Sequence, residues 1–229
     1  MTIPATRAAM SRGDQTRESL LVAATKAFAR DGYHAVSTRQ IADLAQTNQA
    51  LIGYHFGGKE GLYVGVVEHV AAQIGAHTRP LLERIEAALD ETREETNPAG
   101  LRDRLLPALL ELTDGMAALL LRGDSAEWMQ LILREQQTPT AAFDSLYSGF
   151  MGRVAALITE VAGRLRVDQE ETVNRVLAAT IIGQLVVFRS AHAGVMRHLG
   201  WAEIDDARIA RVQQVLRGNV TALLTPPQA

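Results

Sequence analysis

The chain has 229 residues, almost half of them apolar, with few aromatics and no cysteine; disulfides and thiolate metal sites are therefore excluded, and the length suffices for one large core or for a small and a medium domain. Net charge is -3, unevenly spread: residues 1–63 hold seven Lys or Arg against five Asp or Glu, and the rest sixteen against twenty-one. The mild positive excess thus sits in the N-terminal quarter, where phosphate contact would be favoured.

The apolar residues are mainly Ala, Leu, Val and Ile without strand-type alternation, which predicts an all-α protein. The opening MTIPATRAAMSRGD lacks the apolar core of a signal peptide. The longest apolar run, 176–188, is flanked by Arg175 and Arg189 and contains Gln184, so it reads as too short to span a bilayer. The expectation is a cytoplasmic protein with no membrane partner.

Residues 1–14 read as a flexible arm. A first helix over 15–31 presents Leu20, Leu21, Ala24, Ala27 and Phe28 as an apolar stripe and stops at Gly32. Ser37 with Gln40 forms a capping-box signature for a second helix, whose Ile41, Leu44 and Ala45 are expected inward and whose Arg39 and Asp43 point out. After Gln46, Thr47 or Asn48 caps a very short third helix reaching Tyr54, anchored by Leu51 and Ile52, with Gln49 and Ala50 outward. Two short helices joined by a polar turn are the pattern of a DNA-reading helix-turn-helix, so the segment 15–60 is expected to be a DNA-binding domain and 61–229 a larger body for ligand binding and dimerisation.

In the body, a helix over 59–77 carries Leu62, Val66, Val67 and Val70, and Pro80 is expected to kink or restart it. A charged helix follows to about 95, then a loop at Asn97, Pro98 and Gly100, a helix over 101–121 closed by Gly123, and a segment 125–136 holding Trp128, Met129, Leu131 and Ile132. Thr138 and Pro139 open a helix to about 165. Asp168 caps the next, extending to about 199, with Val173, Leu177, Ile181, Leu185, Phe188, His192, Val195 and Leu199 along one side. It is apolar nearly all round, as is fitting for a helix buried on more than one face. The last helix, 205–224, repeats the pattern with Ile209, Val212, Leu216 and Leu223. One side of this pair would cover the core and the other would form a homodimer; a central core helix of a monomer is the plainer alternative.

These residues resemble the TetR family of transcriptional regulators. Its pattern of a Gly after the first helix, a Thr-rich cap, an Ile-Ala pair, a turn, an aromatic pair and a Lys-Glu start to the fourth helix is met by Gly32, Ser37 and Thr38, Ile41 and Ala42, Gln46 to Asn48, Tyr54 to Phe56, and Lys59 and Glu60. Gln46 stands where the family has a turn glycine, and Gly53 where it often has an aromatic that touches phosphate. The remainder, notably LREQQTPTAAFDSLY and the apolar helix after Asp168, is similar to the CecR type of C-terminal domain. The resemblance implies a helical dimer that binds a double-stranded DNA operator, usually as a repressor, and whose larger domain holds a small-molecule effector of unknown identity.

Major-groove reading needs short polar side chains at a helix N-terminus, which Thr47, Asn48, Gln49 and Ala50 supply. Gln49 is expected to read a base edge, most naturally adenine, and Ala50 a thymine methyl, with Thr38 and Arg39 at the rim. Tyr54, His55 and Lys59 would hold phosphates, whereas Phe56 reads as core. Arg7 and Arg12 are candidates for minor-groove contact, against the simpler reading of an unstructured tail. Met116, Trp128, Met129, Phe143, Tyr147 and Phe150 supply candidate effector-binding surface, with Arg134, Gln184 and His192 as polar anchors.

Other classes fit poorly. GYHFGGKE, residues 53–60, approaches a phosphate-binding loop but has Glu60 where Ser or Thr must hold magnesium. His192 and His198 fall on different helix faces, no zinc-type histidine pair accompanies a carboxylate, and no GxSxG elbow occurs. Neither enzymatic activity, cofactor nor metal is expected. A helical dimerisation or ligand-binding module without sequence-specific DNA binding is the more serious rival, but it leaves the outward cluster from Thr47 to Ala50 without a purpose.

Overall fold

The computed structural model describes residues 11–167 and 169–225. They are helical, with no strand among the described residues. Helix α1 (Arg12–Asp31) begins three residues before the expected start because Ser11 and Asp14 form a capping box. Arg12 therefore lies in its first turn, while Arg7 is outside the described residues. α2 (Thr38–Leu44) and α3 (Ala50–Phe56) complete a small head, in which Leu20, Leu21, Phe28, Ile41, Ile52 and Leu62 are essentially inaccessible.

α4 (Lys59–Glu91) leaves the head and crosses into the body as one helix, so a single element belongs to both sides of the boundary placed at residue 60. Pro80 neither restarts nor interrupts it. The hydrogen bond that proline forfeits would go to Ala76, and both residues are exposed; the break therefore lies on the solvent side while Ile74, Thr78, Leu82 and Ile85 keep the inner face on the core. α5 (Pro98–Leu121) starts at Pro98 under an Asn97 cap and tolerates Pro107 at another exposed position. Its C-terminus is closed by the Arg189 guanidinium, which donates to the Leu120 and Arg122 carbonyls. Burial against these groups lowers the arginine's pKa from its ordinary value.

α6 (Ala126–Gln137) follows a short 3-10 turn, Gly123–Ser125. The helix expected from Thr138 begins later, as α7 (Phe143–Leu146), because Thr140 is used otherwise: its N–H and hydroxyl both donate to Glu135. A π-helical turn, Tyr147–Met151, leads into α8 (Gly152–Leu165). Asp168, expected as the next cap, is outside the described residues; α9 (Glu171–Ser190) starts after Glu170 without a side-chain cap.

The helix expected to run to 199 breaks at Ala191, and α10 (His192–Leu199) has no buried residue. His192, Val195 and Leu199 therefore do not continue the core stripe. By length and composition alone α9 is apolar enough to cross a membrane, and 28% of its most apolar stretch is buried. Asn174, Leu177, Ala178, Ile181 and Leu185 face the protein, and Val173, Val176 and Val187 face out. α11 (Asp206–Leu224), capped by Asp205, lies along α5 through Ile209, Val212, Leu216, Val220 and Leu224. Asn219 on α11 donates to Gln184 on α9 at 2.9 Å, joining the last long helices.

Candidate nucleic-acid interface and body cavity

The turn between α2 and α3 explains how glutamine occupies a glycine position. Gln46 has φ +52°, the left-handed region that costs a residue with a Cβ about 1–2 kcal/mol. The turn recovers two helix carbonyls in return: Gln46 N–H donates to Asp43 O at 3.1 Å and Thr47 N–H to Ala42 O at 2.9 Å, the paired bonds of a Schellman stop. At the other end of α2, Ser37 N–H donates to Gln40 Oε1 at 2.8 Å and Gln40 N–H to Ser37 Oγ at 3.2 Å. Both ends are thus fixed locally. Leu44, expected inward, is 56% exposed, since two turns of helix bury only Ile41 and Ala42.

Asn48, rather than Thr47, steadies the start of α3, its Oδ1 accepting from Ala50 N–H at 2.8 Å. Thr47 is half-buried, whereas Asn48, Gln49 and Ala50 are exposed together. The Gln49 amide donates to Thr38 Oγ1 at 2.8 Å, which ties the first turns of α2 and α3 into one polar surface. Arg39 is exposed and has no side-chain partner among the described residues. Tyr54 is 81% exposed, with its ring edge-on to His55 at 4.9 Å. Phe56 packs on the core beneath the Arg17 guanidinium.

Lys59 sits at the start of α4, its Nζ 4.6 Å from the centre of the Tyr33 ring and 3.4 Å from the His34 carbonyl. It is therefore positioned before any ligand arrives. The tight passage from α3 to α4 uses Gly57 and Gly58 at positive φ. A Cβ on Gly61 would fall 1.9 Å from the Phe56 carbonyl oxygen. Sequence reasoning left Tyr33 and Gly61 out of the site; GGKEG was available as a signal, but only the close approach of the two helices gives it meaning.

The body holds a cavity of about 160 Å³ between α4, α5, α6, α8, α9 and the π-turn. Of the sequence-derived candidates, Met116, Met129, Tyr147 and Phe150 line it. The others lie elsewhere. Trp128 packs beside His77, and Phe143 stands beside Tyr147 outside the lining. Gln184 is bonded to Asn219, and His192 is exposed on α10 with its ring nitrogen 3.2 Å from Phe188 O. Arg134 turns the opposite way, donating to Ala29 O at the end of α1 at 3.2 Å. Sequence reasoning missed Met151, Ile132, Ile182 and Gln136 in the lining, because periodicity shows which residues are apolar but not which of them border a void.

α6 has two working sides. Met129, Ile132 and Gln136 border the cavity, while Arg134 and Glu135 reach toward the head. Glu135, 1% exposed, accepts from the Tyr63 hydroxyl at 2.6 Å and from Thr140 N–H and Oγ1 at 3.1 and 2.9 Å. Tyr63 packs edge-on against Phe28 and Tyr33. Burial first, and then the bond to Glu135, push its phenol well above the usual range. The same three-ring cluster reaches Lys59 through Tyr33.

Residues 20–66 match the pattern of bacterial regulatory proteins of the tetR family, and residues 105–225 match the C-terminal domain of the HTH-type transcriptional dual regulator CecR. The chain is 28% identical over 214 residues to the HTH-type transcriptional dual regulator CecR of Shigella flexneri, covering 93% of each chain. Among solved structures, a putative transcriptional regulator from Pseudomonas aeruginosa PAO1 superposes with a TM-score of 0.63 at 19% identity, over 96% of this chain and 95% of that one. AibR, solved in complex with isovaleryl coenzyme A and operator DNA, superposes with a TM-score of 0.62 at 13% identity, over 90% and 97%. With its helix-turn-helix head and all-α body, the chain belongs to the TetR family of DNA-binding transcriptional regulators and carries a C-terminal domain of the CecR type.

Proposed function

We propose that the protein is a cytoplasmic homodimeric repressor that seats two heads on a palindromic operator and is released when a small molecule fills the body cavity. The observation that carries this reading is the two-sided α6: one helix borders the cavity through Met129, Ile132 and Gln136 and holds the head through Arg134 and Glu135. A ligand that shifts α6 changes the seat of α1 and α4, and a coupling of about 1–3 kcal/mol gives roughly 5- to 150-fold weaker operator binding. Gln49 and Ala50 read bases, Thr38 and Arg39 work at the rim with Thr47 and Asn48 shaping the turn, and Tyr54, His55 and Lys59 engage phosphates.

Pairing would use the outer faces of α9 and α11, where Val176 and Val215 are 59% and 56% exposed. A two-fold dimer of heads matches a two-fold symmetric DNA site, and its occupancy of a promoter blocks transcription. The test is a gel shift on an operator selected from random duplexes, titrated with salt. Affinity should fall steeply, with a log–log slope of about -0.9 per neutralised phosphate, and Lys59→Ala should flatten the slope by about one unit per head. An affinity unchanged by salt refutes the reading.

A further inference from the structure

On the reading that the cavity beneath α6 is the effector site, its lining also limits the effector's chemistry. Among the described residues, no Asp, Glu, Lys, Arg or His borders it. Three methionines, Met116, Met129 and Met151, share the wall with Phe150 and aliphatic side chains. The polar groups are few. Thr78 is buried, with its hydroxyl proton given to the Ile74 carbonyl at 3.1 Å, while Gln136 and Tyr147 are exposed residues at the margin.

Ionised side chains occur instead in the neighbouring groove of about 880 Å³ between α8 and α9, which has Glu160, Arg164, Glu171 and Arg175. Tyr147, Ala155 and Ile182 border both spaces. They therefore mark the divide between a charged exterior and an uncharged interior. Tyr147 opens the π-helical turn, and Phe150 and Met151 of that turn complete the wall; such turns re-aim side chains within an otherwise regular helix.

We infer that the effector is a small uncharged apolar molecule, about one aromatic ring in size, that enters past Tyr147. The volume of about 160 Å³ is close to that of apolar cavities that stay dry and take up benzene. A carboxylate or ammonium placed there would lose its water and gain no counter-charge. The flexible, polarisable thioethers adapt to ring edges of differing outline, so charge and size, more than directed hydrogen bonds, select the ligand.

The experiment is methyl NMR on the full-length protein labelled at methionine, without DNA, titrated separately with toluene, benzoate and benzylammonium. Toluene should saturate and shift the Met116, Met129 and Met151 methyls while leaving that of Met196 on α10 in place; the charged compounds should bind at least about 100-fold more weakly. Binding of benzoate or benzylammonium within tenfold of toluene overturns the inference, as does toluene that fails to saturate or leaves the Met116, Met129 and Met151 methyls unmoved. A parallel gel shift separates this result from the regulatory reading. If toluene fills the cavity while the operator stays bound, the ligand class stands and the release mechanism falls.

Discussion

Glu135→Gln removes the charge from the carboxyl that joins α6 to the head while keeping its shape. In the native protein that group accepts three hydrogen bonds, one from Tyr63 and two from Thr140, at 1% exposure. The glutamine oxygen can serve Thr140 only if its amide turns toward Tyr63, whose oxygen must then accept. Exchanging charge-assisted for neutral bonds costs roughly 2 kcal/mol, and Glu135→Ala, which strands buried donors, roughly 3–5 kcal/mol. Tyr63→Phe should cost about 1–2 kcal/mol, and the double variant Tyr63→Phe with Glu135→Gln should show a coupling of about 1–2 kcal/mol. Urea unfolding at fixed protein concentration measures all four states, the fixed concentration being needed because the stability of the proposed dimer would depend on it. A coupling under about 0.5 kcal/mol would show that the contact does not tie head to body. pH gives an independent reading. The folded state keeps Tyr63 protonated above its ordinary value of 10.0, so the unfolded chain loses that proton first and stability falls as pH rises beyond about 10. Tyr63→Phe should remove this part of the alkaline decline.

Gln49→Ala should reduce discrimination at one operator position by about 1–3 kcal/mol, seen as relaxed preference at a single base pair in a binding selection; uniform weakening at every sequence would assign Gln49 to the backbone instead. Gln46→Gly relieves the left-handed backbone at φ +52° and should stabilise the protein by about 0.5–1 kcal/mol net of the unfolded chain's added entropy, a rise of roughly 1–4 °C in Tm by calorimetry. Gly61→Ala forces a Cβ to within 1.9 Å of the Phe56 carbonyl oxygen and should destabilise by at least about 1–3 kcal/mol, read as a lower urea midpoint together with loss of operator binding.

The head was legible in the sequence because its determinants are local. Ser37 with Gln40, Gly32 and the polar run from Gln46 to Gln49 each act within a few residues, and the helices begin and end where these signals stand. Gln46 shows the limit of residue preference: the two bonds of the helix stop hold a left-handed turn without glycine. In the body the deciding forces are distant. Pro80 passes because its lost bond faces water, a fact set by which side of α4 meets the core. Thr140 delays α7 because Glu135 takes its donors. Arg134 and Gln184 look like ligand anchors by type, yet one grips the end of α1 and the other a neighbouring helix. Glu135 itself gave a partial signal, a carboxyl in line with Leu131 and Ile132, but its partner lies 72 residues away.

The uninterrupted course of α4 makes it a lever. Its first residue, Lys59, is the one proposed to engage phosphate, and Pro80, where the helix lacks one internal bond, stands twenty-one residues further on. At a rise of 1.5 Å per residue that arm is about 30 Å long, so a tilt of about 10° at Pro80 carries the tip through about 5 Å. Successive phosphates on one strand are spaced by about 3.4 Å along the duplex axis. A body that yields by about 10° at Pro80 therefore moves the head by more than one step of the DNA ladder, and in the proposed dimer two heads would lose their spacing together.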